Sequence, residues 1–165
     1  MSFEILAVSW HDERAVALRK AMDDEIGPRY ADRFEDRGPE ESERLATAFA
    51  IDPADIVATF IAQVDGVRVA HAALRKLGED YELKRLVTLP EYRGRGLSRA
   101  LIAAVETEAA SRGALRLILQ TGDRQPEAVR LYEYLGYRKI PVFEPYTVFA
   151  ASNCYERPLG DPVAR

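Results

Sequence analysis

Hydrophobic and polar positions change rhythm several times along this chain, and each change marks an element. Phe3 to Val8 reads as a short strand. Asp12 suits the cap of a helix in which Ala15, Leu18, Met22 and Ile26 recur at helical spacing. Gly27-Pro28 is expected to end that helix, and the strongly charged residues 32 to 43 read as a solvated connection. Pro39 suits the first turn of a second helix through Leu45 and Phe49, which Asp52-Pro53 stops. Strand patterns then take over. Ile56 to Val64 and Val67 to Leu77 flank the two-residue hairpin signal Asp65-Gly66. A turn at Gly78-Glu79-Asp80 leads into a third strand, Tyr81 to Leu89.

Helical spacing returns from Leu97 to Arg112, with Leu97, Leu101, Ala104, Val105 and Ala109 on one side and Gly113 past the end. Leu115 to Gln120 is almost wholly apolar, as a central strand should be. Pro126 opens a helix carrying Val129, Leu131, Tyr132 and Leu135, and Gly136 caps it. Tyr137 to Ile140 and Ser152 to Arg157 are the last strands. The strand–helix–strand unit over 82–120 calls for two parallel strands with a right-handed crossover. The remaining sheet is expected to be largely antiparallel, giving a mixed α+β fold with helices on both faces. No repeat or second domain is visible, so residues 1–165 read as one domain.

Composition narrows the partners. A net charge of −4 and a pI of about 5.3 argue against nucleic acid or an anionic membrane, and slightly favour a cationic substrate. Apolar runs fall short of the roughly 20 residues a membrane span needs. The N-terminus does not read as a secretory signal, and the single cysteine, Cys154, excludes an internal disulfide. A cytoplasmic protein is expected. His11 and His71 lack neighbours at ligand spacing, so no metal is expected.

The chemistry gathers at Arg93-Gly94-Arg95-Gly96-Leu97-Ser98, between a strand and a helix. Free amides at a helix start attract anions. Glycines let the backbone approach a ligand, and the guanidinium groups of Arg93, Arg95 and Arg99 suit phosphate oxygens. No Gly-Lys-Ser/Thr follows, so this is not a P-loop. No glycine stands three residues after Gly96, so it is not the dinucleotide fingerprint. Taken alone, the turn also fits solvated charges.

With these residues in place, the chain resembles the GNAT superfamily of N-acetyltransferases. Arg93, Gly96 and Ser98 stand at the family's Arg/Gln-x-x-Gly-x-Gly/Ala signature, with Ser98 replacing the usual Gly or Ala. Ala128, Tyr132, Gly136 and Tyr137 stand at its Ala-x-x-x-Tyr-x-x-x-Gly-Phe/Tyr mark. The resemblance implies a mostly antiparallel sheet of about six or seven strands with a splayed parallel pair. It also implies acetyl-coenzyme A as cosubstrate. Pantetheine would pair with the backbone of Leu86, Val87 and Thr88. The amides of Gly94, Arg95, Gly96, Leu97, Ser98 and Arg99, beside Arg93, would hold the pyrophosphate. Gln125 stands where many members have an asparagine bonded to pantetheine.

The resemblance further implies direct acetyl transfer in a ternary complex to a primary amine of a small molecule or peptide. Tyr132 aligns with the family tyrosine near the sulfur, and a phenol of pKa about 10 can protonate a departing thiolate. Its alternative is a core aromatic. Glu82 matches a general-base glutamate of the histone-acetylating branch, acting directly or through water. Its alternative is a surface carboxylate paired with Lys84 or Arg68. Gln120 occupies the place where other members carry a carboxylate, and Asp123 is the remaining choice. A backbone N–H of Val87 or Thr88 would hold the oxyanion. A non-catalytic acyl-coenzyme A sensor on the same fold is the alternative function. The acceptor is open, with Tyr30, Phe34, Phe143 and Tyr146 either an apolar wall or packing. A homodimer is compatible with the family.

Overall fold

The computed structural model describes residues 2–160. Strands β1 (Phe3–Val8), β2 (Ile56–Val64), β3 (Val67–Leu77) and β4 (Asp80–Thr88) form an antiparallel meander. Asp65 and Gly66, with φ of 49° and 78°, make the β2–β3 turn, both in the region that matches strand twist. Beyond β4 lie β5 (Arg116–Gly122), β7 (Ser152–Pro158) and β6 (Arg138–Ile140), giving the order β1-β2-β3-β4-β5-β7-β6. Among the described residues only β4 and β5 run parallel.

Helix α3 (Leu97–Ser111) makes the crossover, and α1 (Glu13–Glu35) packs on the other face. Neighbouring β2 residues show the division. Ala62 joins the core of Leu97, Leu101 and Val105 from α3, whereas Ile61 joins Ala15 and Leu18 from α1. Helices α2 (Pro39–Phe49) and α4 (Pro126–Tyr134) complete the fold. This is the expected α+β architecture, with strand bounds shifted by one or two residues.

One expectation fails. Pro28 does not end α1, which continues to Glu35 and takes up residues 32–35 of the expected connection. An interior proline costs roughly 3 kcal/mol. Tertiary contacts beyond it offset that cost. Arg33 reaches Asp123 with two 2.7 Å hydrogen bonds, Arg29 pairs with Glu127, and Tyr30 is buried.

Two features set β4 apart from the other strands. Its ladder with β5 holds only at Tyr81↔Leu117 and Glu82↔Ile118. Its ladder with β3 skips a residue, since His71 faces Val87 while Ala73 faces Lys84. That bulge contains Arg85 at a φ of 56°, left-handed backbone in a non-glycine residue. His71 braces it: the ring Nδ1 lies 2.8 Å from the Arg85 carbonyl oxygen.

Candidate active site

Where β4 and β5 part, a cavity of about 560 Å³ opens between them. Leu86, Val87 and Thr88 line one side, and Gln120, Thr121 and Gly122 the other. The parting removes β5 as a partner for the end of β4, so backbone groups in the wedge face a ligand space rather than a strand. Thr121 lines the same space, and among the described residues its buried hydroxyl has no hydrogen-bond partner.

The arginine–glycine turn closes one end. Gly94 and Gly96 have φ of 74° and 80°, which a side chain would strain, and among the described residues no side chain caps the start of α3. Thr88 and Ser98 join hydroxyl to hydroxyl at 2.8 Å, tying the end of β4 to the first turn of α3. Arg93 and Ser98 line the cavity. Leu97 puts its side chain into the core, so only its backbone is available. Arg95 turns back onto the Tyr92 ring and the Glu91 carbonyl. Arg93 donates to the Thr88 carbonyl at 3.0 Å and pairs with Glu25 at 2.5 Å. Gln125 lines the cavity and accepts a hydrogen bond from Tyr30 at 3.2 Å.

Tyr132 lies at the cavity wall, 6% exposed, among the rings of Tyr137 and Tyr155. Among the described residues its hydroxyl makes no hydrogen bond. Burial pushes its pKa up, so the phenol keeps its proton. Core aromatic and cavity residue are therefore the same side chain. Tyr137 is buried beside Tyr132, whereas Tyr134, on the same helix as Tyr132, is 77% exposed.

Glu82 is not a surface carboxylate. It is fully buried, and its partner on β3 is Arg75 at 2.7 Å rather than Arg68. Tyr146 donates to its other oxygen at 2.5 Å, and Lys84 stands 3.2 Å from that same oxygen. Glu82 does not line the cavity, but Lys84 does. Lys84 donates to the Tyr146 oxygen at 2.6 Å, and burial lowers its pKa from the ordinary lysine value. Asp123, considered from sequence, and its neighbour Arg124 are bound to α1 through Arg33 and Asp32. His71 lies in the sheet against Trp10 and Arg19, away from the cavity.

Of the expected apolar wall, Tyr30 and Phe34 line the cavity, whereas Phe143 and Tyr146 do not. Phe49 and Phe149 complete the wall and were missed, since no local pattern distinguishes them from ordinary core residues. Among the described residues no cluster of three or more His, Cys, Asp and Glu side chains could hold a metal, and no helix is long and apolar enough to cross a membrane.

A sheet split between its two parallel strands, with a glycine–arginine turn at the mouth, is the build of the GNAT acyltransferase fold. Residues 19–137 match the model of the acetyltransferase (GNAT) family, and the chain belongs to it. A candidate acyl-CoA N-acyltransferase from Klebsiella pneumoniae superposes with a TM-score of 0.75 at 27% identity, covering 96% of this chain and 98% of that one. The PaiA N-acetyltransferase from Thermoplasma acidophilum, solved with coenzyme A, shares the fold at 19% identity and a TM-score of 0.67, covering 96% and 99%. In sequence, IAA acetyltransferase from Azospirillum brasilense is 35% identical over 47% of this chain and 51% of its own. Aminoglycoside N(6')-acetyltransferase type 1 from Salmonella typhimurium is 29% identical over 62% of this chain and 77% of its own. The chain spans about half the length of the first of these sequence relatives.

Proposed function

We propose that this chain, as one domain, transfers an acetyl group from acetyl-coenzyme A to a primary amine by direct attack. The observation that carries this reading is the parting of β4 from β5 after Glu82↔Ile118, with Tyr132 at the edge of the gap. Leu86, Val87 and Thr88 offer backbone to the pantetheine arm, and Gln125 an amide side chain. Arg93, with the backbone of Gly94 through Arg99, receives the pyrophosphate. The coenzyme A complex of the Thermoplasma neighbour supports this choice of ligand. A backbone N–H of Val87 or Thr88 holds the oxyanion.

Tyr132 holds a proton that the departing thiolate takes. The incoming amine must lose one. Glu82 has no face on the cavity, so we read it as acting through Lys84: burial favours the neutral amine of Lys84 that a base must present, and Glu82 stabilises the ammonium formed when it takes the proton. The isolation of Glu82 is also what favours the second reading, a non-catalytic acyl-coenzyme A sensor.

Calorimetry with acetyl-coenzyme A, followed by turnover with a panel of amines, separates the two. Binding with amide product supports transfer. Binding with no product on any amine supports the sensor, and no binding at millimolar coenzyme removes both.

A further inference from the structure

Part of the cavity is walled by rings. Tyr30 and Phe149 meet at a centroid distance of 6.2 Å, and Phe149 and Phe49 at 5.5 Å. All three line the cavity, with Ile26 and Ile51 beside them. Phe34 also lines it and is 41% exposed, so the apolar lining reaches the surface.

The charges in the lining are balanced. Asp23, Glu25 and Glu127 contribute carboxylates, while Lys84, Arg85 and Arg93 contribute cations. Each of the three acids is already matched. Asp23 pairs with Arg85 at 2.8 Å, Glu25 with Arg93 at 2.5 Å, and Glu127 with Arg29. The chain as a whole is acidic, but this cavity offers no surplus negative charge to a polycation. It offers aromatic rings that favour one ammonium group and an apolar body.

We infer that the acceptor is a small monoamine with an apolar, ring-sized body. The inference rests on the proposed acetyl transfer and adds the substrate class. The amine nitrogen forms the amide bond and the thioester C–S bond breaks. The sulfur leaves as the thiol, and the ammonium releases one net proton.

The test uses the full chain with acetyl-coenzyme A and five acceptors: 2-phenylethylamine, tryptamine, spermidine, kanamycin and a hexapeptide with a free N-terminus. Thiol release and product mass give kcat/KM. The aromatic monoamines should exceed spermidine and kanamycin by about 100-fold. A polyamine or the peptide as best acceptor overturns the inference, and so does failure of both aromatic amines. Calorimetry on the same sample locates the fault. Coenzyme binding without turnover of the aromatic amines removes the acceptor class alone, whereas absent binding removes the proposed function too. Phe34→Ala, at an exposed position, should raise KM for 2-phenylethylamine about fivefold while coenzyme affinity holds. An unchanged KM in both Phe34→Ala and Phe49→Leu overturns the placement of the apolar wall.

Discussion

Glu82 accepts a 2.5 Å hydrogen bond from the phenol of Tyr146, a residue 64 positions later in the chain. Arg75 and Lys84 complete the cluster, and only Lys84 of the four lines the cavity. This arrangement sets two roles for Glu82 against each other. A base that works in person is lost on Glu82→Gln, and turnover goes with it. A carboxylate that supports the Lys84 ammonium leaves a different trace. Its removal lowers the Lys84 pKa further, so the acid limb of kcat/KM moves to lower pH while activity persists. We expect the second outcome. Glu82→Gln also leaves the Arg75 charge unmatched, at a cost of about 3 kcal/mol or more, so the profile is taken below the reduced melting temperature. Lys84→Met should lower kcat and erase that limb.

Tyr132→Phe isolates the phenol oxygen. The ring contacts with Tyr137 and Tyr155 survive, and no hydrogen bond among the described residues is broken. Melting temperature and coenzyme affinity should therefore hold, while kcat falls about 100-fold, the lower range for a lost general acid. An unchanged kcat would leave Tyr132 a packing residue.

Gly122→Ala probes how α1 sits over the cavity. A β-carbon there would lie 2.0 Å from the Tyr30 hydroxyl and 2.6 Å from its Cζ. The Tyr30 ring must move, giving up its hydrogen bonds to Gln125 at 3.2 Å and from the Arg124 amide at 3.1 Å. Overpacking of this kind costs about 1–3 kcal/mol, or several degrees of melting temperature. Tyr30→Leu removes the obstructing ring. The double variant should therefore lose less stability than the two single losses added together.

The limits of the sequence reading follow the range of the interactions involved. Asp65-Gly66, Gly113 and Gly136 announced their turns because backbone conformation is a local matter, and all three glycines have positive φ. The arginine–glycine corner was legible for the same reason. Pro28 misled, since the contacts that carry α1 past it come from Asp123 and Glu127, about 95 residues away. The surroundings of Glu82 were hidden likewise: β3 pairing supplies Arg75 and the late loop supplies Tyr146. The Arg85 bulge left no mark, because nothing in Lys84-Arg85-Leu86 favours left-handed backbone.

His71 gives the fold an acid limit. Its ring is fully buried, with Nδ1 against the Arg85 carbonyl at 2.8 Å and Nε2 against Arg19 Nη1 at 3.1 Å. The neutral tautomer protonated on Nδ1 satisfies both contacts, donating to the carbonyl and accepting from the guanidinium. Burial, together with the positive charges of Arg19 and Arg85, holds its pKa down to about 4 from the usual 6.5. Between those values the unfolded chain binds a proton that the folded chain refuses. Stability is thus full above about pH 6.5 and declines as pH falls toward 4, by about 3 kcal/mol over the whole window. Urea unfolding of the wild type and His71→Asn across pH 7.5 to 4 isolates this contribution. The asparagine variant should be the less stable at pH 7.5, and its deficit should shrink by about that amount at pH 4. Because the folded ring stays neutral down to about pH 4 and keeps bracing the Arg85 bulge, coenzyme affinity of the folded wild type should hold over the same interval. A deficit that stays constant with pH would mean that His71 does not titrate differently in the folded and unfolded chains.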